Sequence, residues 1–68
     1  MSVSVVINGR EETFENIRTI ADLLREKGFE NSKVVVEVNY EIVKRDKFEQ
    51  YEIRSGDKLE VLRFVGGG

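Results

Sequence analysis

One segment of this sequence has the spacing of an amphipathic helix, while the segments around it read as strands. Ile20, Leu23 and Leu24 follow the i, i+3, i+4 spacing that gives a helix a single apolar stripe. Thr19 is a favourable N-cap, and Gly28 suits the position just after the last helical residues. A helix of this kind must bury its stripe against the apolar face of a sheet. The pattern therefore predicts an α+β domain.

Short apolar runs predict the strands of that sheet. Asn8-Gly9 follows the first run directly and predicts a tight hairpin, because a type I′ turn needs positive φ at both central residues. Strands are predicted at residues 3–7, 10–14, 33–38, 41–43 and 58–64, with a 3₁₀ turn before the last one. If the first strand pairs in parallel with the last, the order ββαβββ gives a β-grasp (ubiquitin-like) fold with a mixed sheet of four to five strands. Periodicity alone leaves other α+β topologies open.

Length and composition restrict the chemistry of the chain. Its 68 residues predict one domain, which we assign to residues 1–65, followed by a flexible glycine tail at 66–68. The absence of His and Cys excludes a nucleophile of either type and an ordinary zinc site. Glu11, Glu12 and Glu15 are interpreted as exposed solubilising residues rather than an acid–base pair. We therefore expect no catalytic residue, no metal ligand and no enzyme activity in this chain.

Charge and hydropathy argue against two classes of partner. The formal net charge is −2, and Asp46 interrupts the short basic cluster of Lys44, Arg45 and Lys47, so nucleic-acid binding is not expected. No apolar stretch approaches the roughly 20 residues of a membrane span. The N-terminal residues also lack the features of a signal peptide. We expect a cytoplasmic protein that does not bind membranes.

The phase of the last strand predicts an exposed apolar surface. Side chains alternate between the two faces of a strand, so if Leu59 and Val61 face the helix, the apolar residues at alternate positions face away from it. Exposed patches of this kind mark contact sites, and the predicted docking patch consists of Val6, Val35, Leu62 and Phe64. The alternative is a β-bulge that turns Leu62 or Phe64 back toward the core.

Three glycines, Gly66, Gly67 and Gly68, follow this strand. From composition alone they are either a frayed terminus or engineered linker, or a functional tail. Residues 65–68 can extend roughly 13 Å, at about 3.3 Å per residue. Without bulky side chains they could thread a narrow channel and present the terminal carboxylate to a partner's active site. Once activated as an acyl adenylate, that carboxylate could be attacked by a sulfur or nitrogen nucleophile.

Four stretches in combination resemble the ThiS family of sulfur carrier proteins of thiamin biosynthesis: VVINGRE, TIADLL, VVVEVNYEIVKR and SGDKLEVLRFVGGG. The resemblance covers essentially the whole chain and implies a β-grasp fold. It also implies that Gly67 and Gly68 match the family's terminal pair, and that Gly68 carries the reactive carboxylate. Gly66 then lengthens the tail, and Gly66 and Gly67 thread the partner's active site. Family members often have proline where Lys44 stands here.

The resemblance further implies a set of partners. A ThiF-like adenylyltransferase would use ATP and its magnesium to activate Gly68, and a desulfurase or rhodanese-type protein would supply sulfur. Thiazole synthase (ThiG) would receive the sulfur from the resulting thiocarboxylate. No cofactor is expected to bind this chain itself. Three alternatives stay open: a MoaD-like carrier for molybdopterin synthesis, a ubiquitin-like protein modifier, and a plain interaction module with incidental glycines.

Overall fold

The computed structural model describes residues 2–29 and 33–64, which form a five-stranded sheet with one α-helix packed on it. The elements are β1 (Ser2–Ile7), β2 (Arg10–Glu15), α1 (Ile20–Glu26), β3 (Val34–Val38), β4 (Glu41–Val43), a 3₁₀ turn (Arg45–Lys47) and β5 (Lys58–Arg63). The strand order is β2-β1-β5-β3-β4. β1 pairs with β5 in parallel, and the other neighbouring strands are antiparallel. The predicted β-grasp topology is confirmed.

The start of α1 is fixed by a reciprocal capping box. The Thr19 hydroxyl accepts a hydrogen bond from the Asp22 N–H at 3.2 Å. The Asp22 carboxylate in turn accepts from the N–H groups of Thr19 at 3.1 Å and Arg18 at 2.9 Å. These backbone hydrogen bonds, that of Arg18 first, lower the pKa of Asp22 below its ordinary value. The predicted N-cap is confirmed.

The end of α1 has the hydrogen bonds of a Schellman motif. The Phe29 N–H donates to the Leu24 carbonyl at 2.7 Å, and the Gly28 N–H donates to the Arg25 carbonyl at 3.1 Å. Gly28 has φ +82°, the left-handed conformation that glycine adopts without a steric penalty. The chain thereby leaves the helix at the residue that the sequence predicted.

The core lies between the helix stripe and one face of the sheet. The helix contributes Ile20, Leu23 and Leu24, all 4% exposed or less. The remaining buried apolar residues come from the strands and the segment before β5: Val5, Ile7, Val36, Val38, Val43, Phe48, Ile53, Leu59 and Val61. Because strand residues alternate between faces, the opposite face of the sheet is left without a covering layer among the described residues. We call it the outer face.

Asparagines in both hairpin turns also hold the last strand. The β1–β2 turn has positive φ at Asn8 and Gly9, as predicted, and the β3–β4 turn begins with Asn39 at φ 51°. The Asn8 side chain donates to the Val61 carbonyl at 3.2 Å and accepts from the Val61 N–H at 2.8 Å. The Asn39 side chain accepts from the Lys58 N–H at 3.0 Å. β5 is therefore fixed by side chains from the turns on both sides of it.

Candidate functional site

The outer face carries the exposed apolar residues that the phase of β5 predicted. Leu59 and Val61 are buried toward the helix, whereas Leu62 and Phe64 are each 58% exposed. Pairing with β3 runs without interruption through Arg63, and the Phe64 N–H continues it to the Lys33 carbonyl at 3.0 Å. The regular register leaves no place for the β-bulge considered as an alternative.

Val35 lies directly opposite Leu62 in the β3–β5 ladder, on the same face. Direct cross-strand neighbours have Cβ atoms roughly 5 Å apart, so their side chains form one apolar surface. Val35 is half-buried. The structure thus brings three of the four predicted patch residues together at the end of β5 where the glycine tail follows: Val35, Leu62 and Phe64.

Val6 shares the outer face but lies elsewhere on it. Its neighbours in the two adjoining strands are Lys58 on β5 and Glu11 on β2. Leu62 is four residues further along β5 than Lys58, which corresponds to about 13 Å. Val6 is therefore separated from the other predicted patch residues by charged side chains.

Ile42 is an exposed apolar residue that the sequence analysis did not assign to the patch. It is 67% exposed, lies opposite Glu37 in the β3–β4 ladder and is the diagonal neighbour of Val35. Val43, the next residue, is buried, so alternation in this short strand places Ile42 outside; the sequence alone does not show which of the two faces the core. We refer to Val35, Ile42, Leu62 and Phe64 together as the outer apolar cluster.

Charged residues occupy the other end of the outer face. Glu37 and Glu60 are directly opposite each other. Lys58 donates a hydrogen bond from Nζ to the Tyr40 hydroxyl at 2.8 Å and lies 5.2 Å from the centre of that ring. This hydrogen bond raises the pKa of Lys58. The outer face therefore has an apolar region at the end of β5 and a charged region at its start, and Ile42 lies at the boundary between them, in the same row as Glu37 and Glu60.

The three carboxylates near the first hairpin have ordinary surface surroundings. Glu12 accepts hydrogen bonds from Lys27 Nζ at 2.9 Å to both carboxylate oxygens, which ties the end of α1 to β2. Glu11 and Glu15 are exposed on the outer face. Within residues 2–29 and 33–64, no cluster of three or more side chains suited to hold a metal ion is found. In the same residues, no helix has the length and apolar character to cross a membrane.

The predicted reactive position and tail, Gly68 with Gly66 and Gly67, lie outside the described residues. Phe64, the last described residue, belongs to the outer apolar cluster. In the sequence, Val65 alone separates this cluster from the glycine tail.

Comparison with known proteins gives a consistent set of relatives. The ThiS family model matches residues 4–68. The sulfur carrier protein ThiS of Bacillus subtilis is 36% identical over 91% of this chain and 96% of its own length. The crystal structure of the thiamine biosynthesis protein ThiS from Geobacter metallireducens superposes with a TM-score of 0.80 at 29% identity, covering 97% of this chain and 100% of that one.

A second kind of relative is much longer. A thiazole synthase of Paramagnetospirillum magneticum is 44% identical over 97% of this chain, yet this chain spans only 20% of that protein. That match shows a closely similar segment inside a larger protein, so the activity of the larger protein is not carried over with it. The family match, in contrast, extends over nearly the whole sequence, including the glycines. The chain belongs to the ThiS family.

Proposed function

We propose that this protein is a sulfur carrier of thiamin biosynthesis and that the carboxylate of Gly68 is the group that carries sulfur. The observation that carries the proposal is the ThiS family match, which runs through residue 68 and so includes Gly67 and Gly68. The Bacillus subtilis relative named as a sulfur carrier is matched over 96% of its length, so it has no additional domain to which that role could belong.

The proposed chemistry takes place on the carboxylate and is performed by partner enzymes. A ThiF-like adenylyltransferase joins the Gly68 carboxylate to AMP, using ATP with its magnesium, and releases pyrophosphate. The terminal sulfur of a persulfide on a desulfurase or rhodanese-type protein then displaces AMP and forms an acyl disulfide. A second thiol of the partner cleaves that S–S bond, which releases the thiocarboxylate and leaves a disulfide on the partner. The lack of His and Cys supports this division of roles, because this chain has neither residue with which to attack the adenylate. The protein acts as a substrate in the cytoplasm rather than as an enzyme.

The outer apolar cluster is the proposed docking surface for these partners. It contains two side chains, Leu62 and Phe64, that are each 58% exposed, and Ile42, which is 67% exposed. Residues 65–68 reach at most about 13 Å beyond Phe64, so a partner that acts on Gly68 must bind close to this surface. Thiazole synthase is the proposed recipient of the sulfur, a role supported by the similar segment within the longer Paramagnetospirillum magneticum protein.

The test is intact mass spectrometry of the protein after incubation with a ThiF-like enzyme, ATP, magnesium and a sulfur source. We expect the mass to increase by the difference between one sulfur and one oxygen, and fragmentation to place the change at Gly68. A variant with one alanine added after Gly68 is the matched control and should stay unmodified. The proposal fails if the protein is unchanged in a reaction that converts the Bacillus subtilis carrier. Isopeptide-linked adducts in a cell extract would instead favour a ubiquitin-like modifier.

A further inference from the structure

β5 lies in the middle of the sheet, yet its pairing with β1 is short. The parallel register joins only Val6 with Lys58 and Ile7 with Leu59. Beyond Ile7 the chain turns back through Asn8 and Gly9 into β2. The Asn8 side chain then takes the place of a further strand residue, because it bonds to both the N–H and the carbonyl of Val61.

The direction of the remaining backbone groups of β5 follows from its ladder with β3. The Asn39 N–H donates to the Lys58 carbonyl at 2.7 Å, and the Phe64 N–H donates to the Lys33 carbonyl at 3.0 Å. Even-numbered residues of β5 therefore direct their N–H and carbonyl groups toward β3. Odd-numbered residues direct theirs toward β1, as the Asn8 N–H to Leu59 carbonyl bond of 2.9 Å illustrates.

Arg63 is the next odd-numbered residue, and it lies beyond the Asn8 side chain. Its N–H and carbonyl point to the β1 side of the strand, where β1 has already turned away. Among residues 2–29 and 33–64, no hydrogen bond to either group is found. Arg63 as a residue is exposed, and no described strand pairs with it on the β1 side. An unpaired strand edge is a ready site for the addition of another strand.

We propose that an extended segment of the thiazole synthase partner pairs with the backbone of Arg63 at this open edge; the identity of the partner rests on the proposed function. Strand addition of this kind is a recurrent mode of recognition, in which main-chain hydrogen bonds supply affinity. Two features on either side of Arg63 favour this occupant. Leu62 and Phe64 present the outer apolar cluster to the same partner, and the glycine tail that this partner must hold begins three residues after Arg63, at Gly66. Pairing at Arg63 fixes the origin of the tail relative to the partner's active site.

Proline at position 63 tests the proposal, because it removes the N–H and leaves the ladder with β3 intact. Proline is tolerated in strands where the missing N–H faces an open edge. Arg63→Ala is the matched control: it removes the side chain, which lies 5.2 Å from the Phe29 ring centre, and retains the N–H. We expect Arg63→Pro to raise the Kd for thiazole synthase by about tenfold or more, because one hydrogen bond is lost and a partner carbonyl is left unpaired. Arg63→Ala should change the Kd by less than about threefold. Equal binding by both variants overturns the proposal.

Amide hydrogen exchange on the unaltered protein gives a second measurement that does not depend on a variant. In the free protein the Arg63 amide should exchange much faster than the Leu62 amide, whose N–H faces β3. In the complex with thiazole synthase the Arg63 amide should become protected while Leu62 changes little. An Arg63 amide that exchanges equally fast in both states overturns the proposal. If the protein gains sulfur at Gly68 but the Arg63 amide stays unprotected in the complex, only the strand-addition proposal is wrong. If no sulfur is gained, the carrier function itself fails.

Discussion

The side-chain amide of Asn8 is hydrogen-bonded to both backbone groups of Val61, 53 residues away along the chain. One residue thus forms the first hairpin turn and extends the pairing of β1 with β5. Asn8→Gly keeps the positive φ of the turn, at +51°, but removes both hydrogen bonds. We expect a loss of about 1–2 kcal/mol in the free energy of unfolding, measured by urea denaturation. Asn8→Asp retains only the acceptor, so its stability should lie between those of the wild type and Asn8→Gly. An Asn8→Gly variant as stable as the wild type would contradict this role.

The capping box predicts a dependence of stability on pH. Backbone hydrogen bonds lower the pKa of Asp22 in the folded state relative to the ordinary value of 3.8. A lowered folded pKa means that the ionised carboxylate stabilises the fold above the unfolded pKa, and that this contribution is lost as pH falls through the folded pKa. Asp22→Asn should therefore cost stability at neutral pH, on the order of 1 kcal/mol as for other cap substitutions.

The same difference between wild type and Asp22→Asn should shrink as the pH is lowered below about 3.8. Urea denaturation of both proteins at neutral and acidic pH measures it. Substitution of Arg18 is no control, because its bond to Asp22 comes from the backbone N–H, which every variant except proline retains. Thr19→Ala is the control: it removes the capping hydroxyl and should lower the free energy of unfolding by a similar amount at every pH. A pH-independent effect of Asp22→Asn would refute the electrostatic account.

Lys44 has the backbone conformation of proline. Its φ of −72° is close to the value of about −65° that the proline ring fixes, and its ψ of 151° is in the extended range that proline also adopts. The β3–β4 turn has two residues, so Val36 and Val43 exchange hydrogen bonds and the Lys44 N–H faces away from β3 on an edge strand. Lys44→Pro should therefore stabilise the fold by about 0.4–1 kcal/mol, chiefly by restricting the unfolded chain. A thermal unfolding scan measures the gain, with Lys44→Ala as the control for the lost charge; a lower Tm for the proline variant would contradict the prediction.

Much of this fold could be predicted because its signals are local. The helix stripe of Ile20, Leu23 and Leu24, the Asn8-Gly9 turn and the alternation along β5 each depend on residues a few positions apart. The predicted helix then had one place to pack, against the apolar face of the sheet, and the parallel pairing of the first and last strands completed a known arrangement.

The composition of the candidate site depended on register, which local patterns do not determine. Val6 has the same phase as the outer apolar cluster, but its pairing with Lys58 places it at the charged end of the face. Ile42 was missed because it is followed directly by Val43, and two adjacent apolar residues in a three-residue strand leave open which one faces the core. The bonds from Asn8 and Asn39 to β5 likewise depend on strands that are distant in sequence.

The separation of Val6 from the outer apolar cluster leads to a prediction about docking. Leu62→Asp places a charge within the outer apolar cluster at a side chain that is 58% exposed, so the fold should tolerate it within about 0.5 kcal/mol. Binding to a ThiF-like enzyme should weaken by about tenfold or more, because the partner would have to bury an unpaired carboxylate within an apolar contact. Isothermal titration calorimetry measures the Kd, and circular dichroism confirms that the variant is folded.

Val6→Asp is the matched control, since Val6 lies on the same face about 13 Å from Leu62. It should change the Kd by less than about threefold if the docking surface is the cluster at the end of β5. A second control, Leu59→Ala, should reduce stability by about 2–5 kcal/mol, because Leu59 is fully buried on the opposite face. Equal weakening by Leu62→Asp and Val6→Asp would mean that the partner covers the whole outer face. No weakening by Leu62→Asp would mean that the apolar cluster does not dock the enzyme.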